Sequence, residues 1–180
     1  MTRPKTSQPP FSFVAPRLDR VEAAGGTDIC LFLFEEKQPL QGLAGLVDWR
    51  LLGRISNAII DREFAGRPGE CRLFPTEGRL PQKQVMAMGL GPRTSFGADA
   101  FRAAVDAMWT HSVGDGPIIA SLPGRGEGVC DSADAMEWLL ALHDERPDHP
   151  PLIVAETGGA QQVMLPILEK WRLKQVLQPA

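Results

Sequence analysis

Residues 28–36 read DICLFLFEE, residues 38–74 read QPLQGLAGLVDWRLLGRISNAIIDREFAGRPGECRLF, and residues 85–91 read VMAMGLG. Two apolar, strand-like runs flank a helical pattern, and the rest of the chain can be laid out around them. Leu51, Leu52, Ile55, Ala58 and Ile59 recur at helical spacing, while Arg50, Arg54, Asn57 and Asp61 fall on the opposite side. Asp48 stands where a carboxylate can accept from the free N–H groups of a first turn. The pattern predicts one amphipathic helix from Asp48 to about Arg62, with its polar side in water. The run Asp28–Phe34 is apolar on both faces and predicts a central strand. Cys71–Phe74 and Gln84–Met88 read as further strands.

Working outward, residues 17–23 (RLDRVEA) alternate in polarity and predict a strand. Gly25-Gly26 then makes a turn, so this first pair is expected to be antiparallel. Beyond residue 91, strand and helix alternate. Helices are predicted at Ala98–His111, from Asp131 or Ser132 to His143, and at Ala160–Leu173, where Pro166 should kink the helix or mark a restart. Strands are predicted at Pro117–Leu122 and Leu152–Ala155. An antiparallel opening followed by this alternation predicts an α/β chain. Its expected form is a three-layer α/β/α sandwich with a mixed central sheet. Residues 15–175 form the expected single domain, behind a Pro-rich flexible tail at 1–14.

The 180 residues carry 19 basic and 22 acidic side chains, a net charge of −3. Nucleic-acid binding wants a concentrated basic face, so nucleic acid is not an expected partner. No apolar run approaches the ~20 residues that cross a bilayer, so no membrane is expected either. The N-terminal stretch lacks the apolar core of a secretory signal. Cys30, Cys71 and Cys130 make an odd count, which argues for reduced thiols in a cytoplasmic protein.

Three loops, Gly89–Gly97, Pro123–Cys130 and Thr157–Gly159, leave carboxyl ends of predicted strands and enter helices. In open α/β sheets, ligands collect at this edge, and helix N-termini offer N–H groups to anions. The candidate ligand-binding residues are Gly89, Gly91, Arg93, Thr94, Ser95, Gly124, Arg125, Gly126, Gly158 and Gly159. The competing reading is that these glycines only make tight turns, since neither GxGxxG nor the P-loop pattern is present. Cys130 lies before a helix N-terminus, but no motif joins it to His111, His143 or His149, so a buried thiol is expected. His143, Asp144, Asp148 and His149 match no zinc spacing in a Pro-rich segment expected to be solvated. No metal and no catalytic residue are expected.

Leu43–Arg54 (LAGLVDWRLLGR) resembles the amino-terminal domain of the leucyl (cytosol) aminopeptidase family. So do the strand ending in FEE, the phrase REFAGRPGE at 62–70 and the segment VMAMGLG. The resemblance covers about Asp28–Arg125 and implies a macro-domain-like α/β/α fold. It also implies that the peptidase chemistry belongs to a separate carboxy-terminal domain, with a two-metal cluster and an NTDAEGRL-type motif that nothing here matches. The expectation is a stand-alone, non-catalytic domain without cofactors, acting in oligomerisation, regulation or partner binding. Its partner would be a second copy or a separate aminopeptidase subunit. The alternative is a small-molecule binder, taking an ADP-ribose- or nucleotide-like ligand at the Gly-rich loops.

Overall fold

A computed structural model describes residues 10–36, 39–112 and 116–177. Its six strands form one sheet in the order β1-β6-β5-β2-β4-β3. They are β1 (Phe11–Val14), β2 (Asp28–Leu33), β3 (Cys71–Pro75), β4 (Gln84–Gly89), β5 (Ile118–Ala120) and β6 (Leu152–Ala155). All neighbours are parallel except β3 and β4. The run that is apolar on both faces, β2, sits centrally between β5 and β4. Its side chains alternate between two cores, as the pleat requires. Cys30 joins Met86, Met88, Ile118 and Ala120 under α4 (Ala98–His111), α5 (Ser132–Glu145) and α6 (Gly158–Leu177). Ile29, Leu31 and Leu33 join Val85, Ala87 and Ile119 under α1 (Leu18–Ala23), α2 (Gly42–Arg50) and α3 (Arg54–Ile60). This is the three-layer α/β/α sandwich with a mixed sheet.

The opening of the chain differs from its sequence reading. Residues 17–23 were expected as a strand, but Leu18–Ala23 is α1. Leu18 and Val21 lie three apart, and that spacing puts both on the core side of a short helix. The expected antiparallel pair does not form, and the sheet's antiparallel partner is β3 at the other edge. The expected tail at 1–14 is shortened from its far end. Phe11–Val14 is a strand, pairing in parallel with Leu152–Ala155, and Phe11 is fully buried. Residues 1–9 lie outside the described residues. The last helix contains Pro166 without a break and runs on to Leu177.

The helix predicted from Asp48 to Arg62 is two helices with a corner between them. Leu52 (φ 58°) and Gly53 (φ 76°) are both left-handed, which ends α2. The Gly53 N–H closes that end on the carbonyl of Asp48 (2.8 Å). Asp48 therefore lies in the last turn of α2 and is not its N-cap. Its carboxylate reaches across the corner to α3. One oxygen accepts from the N–H groups of Ile55 (2.8 Å) and Ser56 (3.2 Å), and the other accepts from the Ser56 hydroxyl. Leu51, Ile55 and Ala58 stay in the core across the break, which is why the stripe reads as continuous. Leu52 turns into solvent. Losing this cap should resemble losing a strong N-cap with a buried donor left over. Asp48→Ala is expected to cost about 2 kcal/mol, or ~4–8 °C of melting temperature in a domain this size. Asp48→Asn keeps one acceptor oxygen and should cost less. Thermal melts followed by circular dichroism check both, and a D48A melt superimposing on the parent would mean the corner does not depend on this carboxylate.

Candidate functional site

Because β2, β4, β5 and β6 run parallel, their carboxyl ends share one edge of the sheet. The three Gly-rich loops all leave that edge, and two arginines tie it together. The Arg93 N–H donates to Glu36 (2.8 Å), and its guanidinium pairs with Glu127 and lies 3.9 Å from Glu36. Arg93 thus joins the β4, β2 and β5 loops. It also lies over the ring of Phe34, at 5.3 Å. Arg125 binds Glu156 through two contacts (3.0 and 3.3 Å) and donates to the carbonyl of Cys130 (2.7 Å). Glu156 is buried, and this fork-on-carboxylate pairing gives it a partner there.

The glycines serve the same packing. At Gly124 (φ 75°) a Cβ would stand 2.7 Å from the Phe96 ring. Gly126, Gly158, Gly159, Thr94 and Ser95 are exposed. The Thr157 hydroxyl accepts from the Ala160 N–H (3.3 Å) at the start of α6, and the Ser95 hydroxyl donates to the Pro92 carbonyl (3.0 Å).

A cavity of about 460 Å³ at this edge lies beside those loops and not among them. Leu33, Phe34, Leu40, Ile59 and Phe64 form its apolar surface, and Glu35, Glu36, Glu70, Glu127, Arg62 and Arg67 its polar surface. One wall is the turn 61–70. Glu70 folds that turn by accepting from the N–H groups of Ala65 (3.0 Å) and Arg67 (3.0 Å). The turn then lies directly on the sheet. A Cβ on Gly89 would stand 2.0 Å from the carbonyl oxygen of Arg67, and one on left-handed Gly66 would stand 2.6 Å from that of Phe34. Only glycine allows backbones to approach so closely. Of the loops singled out in the sequence, only Pro123–Cys130 reaches this cavity, through Glu127. Gly126 lines a neighbouring hollow of about 30 Å³ with Gln41 and Ser121.

The model of the cytosol aminopeptidase family, N-terminal domain, matches residues 30–120. The chain belongs to the cytosol aminopeptidase family. The match runs from β2 to β5, and the part of the family it represents is the N-terminal domain. A probable cytosol aminopeptidase of Alkaliphilus oremlandii is 29% identical over 84 residues, which is 47% of this chain and 17% of that enzyme. The chain thus spans less than a fifth of such a relative. Among solved structures, a macrodomain of Oceanobacillus iheyensis superposes with a TM-score of 0.64 at 12% identity, covering 90% of this chain and 92% of that one. A Trypanosoma brucei macrodomain in complex with ADP-ribose gives 0.60 at 17% identity, covering 88% and 68%. The fold is macro-domain-like.

In this aminopeptidase-family domain, Cys130 is a buried thiol. Burial pushes it up to about 11, against the smaller opposing pull of Arg125, so little thiolate exists near neutrality. The segment expected to be a solvated linker is partly buried. His149 stacks on Trp109 at 3.9 Å with the rings 6° apart, and lies 5.6 Å from Phe11. Its Nδ1–H donates to the Pro150 carbonyl (2.7 Å), which leaves Nε2 to accept from His143 Nδ1 (2.7 Å). Asp144 is engaged by Trp171 (3.0 Å) and Gln175 (3.1 Å). The described residues hold no group of three or more side chains placed for a metal ion.

Burial pushes His149 from the ordinary 6.5 down to about 4, and lowers His143 as well. The unfolded chain takes up protons on these rings below pH 6.5, while folded His149 resists until about pH 4. Their contribution to stability is therefore complete above pH 6.5 and is lost as pH falls toward 4. Melting temperatures across that window should fall more steeply in the parent than in His149→Phe. Parallel slopes would show that the ring does not titrate with folding.

Proposed function

We propose that this domain is a non-catalytic docking module of the cytoplasm, binding a second copy of itself or a separate aminopeptidase subunit. The supporting observation is the α2–α3 corner. Trp49 and Leu52 are 69% and 68% exposed there, beside a hollow of about 360 Å³ shared with Arg50, Gly78 and Arg79. Leu52 is held outward by a left-handed conformation that costs an L-residue roughly 1–2 kcal/mol. A strained, outward-facing apolar side chain beside an exposed tryptophan and two arginines has the composition of an interface centre. Arg50 is ion-paired with Glu22 (3.0 Å), which fixes one rim of the hollow.

Light scattering of the purified chain tests self-association. Co-elution with an aminopeptidase from the same genome tests the second partner. Trp49→Glu with Leu52→Glu should dissolve whichever complex forms while leaving folding stability within about 0.5 kcal/mol of the parent, as surface changes do. A monomer that co-elutes with no aminopeptidase would end this reading.

A second reading, that the carboxyl edge of the sheet holds a small molecule, is favoured by the 460 Å³ cavity. Ligand sites run to about 300–1,000 Å³, and open α/β sheets carry them at this edge. The T. brucei macrodomain, which shares the fold, is in complex with ADP-ribose. An ADP-ribose- or nucleotide-like ligand would meet the exposed Gly126, Gly158, Gly159, Thr94 and Ser95, whereas Gly89, Gly91 and Gly124 are buried in the packing of the edge. It would have to compete with Glu127 for Arg93 and with Glu156 for Arg125. Such a ligand at millimolar concentration should raise the melting temperature, since binding only the folded state must stabilise it. An unchanged melt with ADP-ribose and NAD would remove that ligand class.

A further inference from the structure

We propose that the outer side of α6 is a twofold contact with a second copy of this chain, the two helices lying antiparallel. Ten large apolar side chains stand exposed among the described residues, and five of them are on this helix: Val163, Leu165, Leu173, Val176 and Leu177. Single exposed side chains of this kind are ordinary, but five on one helix mark a face that something covers. The line Ala160, Met164 and Leu168 ties α6 to the core. Leu165, Glu169, Arg172 and Val176 lie roughly a third of a turn round from that line. Their steps of four, three and four residues make one seam along the helix. Leu165, Glu169 and Val176 are exposed, and Arg172 is half-buried. Neither Glu169 nor Arg172 has an ion-pair partner among the described residues.

The seam is complementary to itself. A twofold axis crossing it between Lys170 and Trp171 sets the helices antiparallel, and under such an axis each contact occurs twice. Leu165 then faces Val176 of the second copy, and Glu169 faces its Arg172. A parallel pairing in register would instead set Glu169 against Glu169 and Arg172 against Arg172, and like charges opposite each other repel. The charges therefore choose the antiparallel arrangement. Leu173, 65% exposed, flanks the seam and covers it from solvent. From Leu165 to Val176 the seam runs about 16 Å. That is a small contact, below the ~1,200 Å² of a standard interface, so the dimer is reversible. The Glu–Arg pairs fix register and partner more than they add affinity. The α2–α3 corner packs on the other face of the sheet, so this contact goes beyond the docking surface there and does not depend on it.

Sedimentation equilibrium of the whole chain, from about 1 µM to about 1 mM, tests this over the range of weak contacts. The parent should pass from monomer to dimer. Glu169→Arg places like charges opposite each other at both ends of the pairing, and so does Arg172→Glu. Each should weaken the dimer about tenfold or more. The double variant E169R/R172E should dimerise again, to within about threefold of the parent. An equimolar mixture of the two single variants should form the mixed dimer, because each then carries the charges the other lacks. All should melt with the parent, since neither side chain supports another described group. A parent that stays monomeric throughout, single variants that dimerise like the parent, or a double variant that does not recover would each overturn the proposal. A dimer lost in Trp49→Glu with Leu52→Glu but kept in both charge reversals belongs to the corner. That result would overturn the α6 contact and leave the docking reading standing. Charge reversals that end co-elution with an aminopeptidase, while the parent alone stays monomeric, would assign the seam to that subunit and overturn the twofold contact.

Discussion

The buried carboxylate of Asp48 holds the corner on which this domain's exposed chemistry depends. It lies in the last turn of one helix and satisfies the first free N–H groups of the next. Without that bridge, a left-handed Leu–Gly break would leave α3, seven residues long, with no cap of its own. A helix that short is not stable by itself and persists only where caps and packing hold it. With the bridge in place, α3 is aimed along the sheet. Its near end fixes Trp49 and Leu52 outward, and its far end delivers Ile59 and Arg62 to the cavity wall. The 61–70 turn follows from that placement and is locked by the contact between Gly89 and the Arg67 carbonyl.

The carboxyl edge shows a second use of charge. An arginine in a strand-to-helix loop is usually read as an anion ligand, and here two such arginines are paired first with carboxylates of neighbouring loops. The pairing of Arg125 with Glu156 is the more consequential, since neither group is far from full burial. A buried pair of this kind adds little net stability, but removing one partner leaves an uncompensated charge costing roughly 3–5 kcal/mol. Loops held in this way form a fixed rim, and one loop further along lie Glu35, Arg62 and Arg67, whose side chains pair with no other described residue.

The legibility of these features in the sequence followed the range of the interactions that create them. The strand β2, the helix α4 and the strand β6 were readable because their apolar patterns are local and complete. The start of α5 was readable to within one residue, as Asp131 or Ser132, because its cap is local: Asp131 accepts from Asp134, three residues away. The corner at Leu52–Gly53 was not, because its cap acts over seven residues and the apolar stripe continues through the break. The strand Phe11–Val14 was hidden by its four-residue length and by a partner some 140 residues away in sequence. At the site, the Gly-rich loops announced themselves. The cavity's wall did not, because FEE and REFAGRPGE look like polar connections until the glycine contacts bring them together. Likewise, three prolines made the His149 segment look solvated, and only the stack on Trp109 shows otherwise.

The two faces of the sheet are covered unequally, and this places the corner and the cavity. One face carries helices of 14, 14 and 20 residues, whose apolar sides merge with β1 and the His149 stack into one continuous core. The other carries helices of six, nine and seven residues. Each helix end leaves up to four backbone groups to be satisfied, so three short helices spend much of their length on ends. They cover less of the sheet per residue and leave gaps where turns must complete the layer. The α2–α3 corner and the cavity are two such gaps, at opposite ends of one seven-residue helix that spans only about 10 Å. Short, end-rich segments also belong to the less stable part of a fold, where binding surfaces are commonly drawn from. That uneven layering explains why both of these surfaces lie at the α2–α3 side of the sheet, although the Gly-rich loops first drew attention to the sequences leading into α4, α5 and α6.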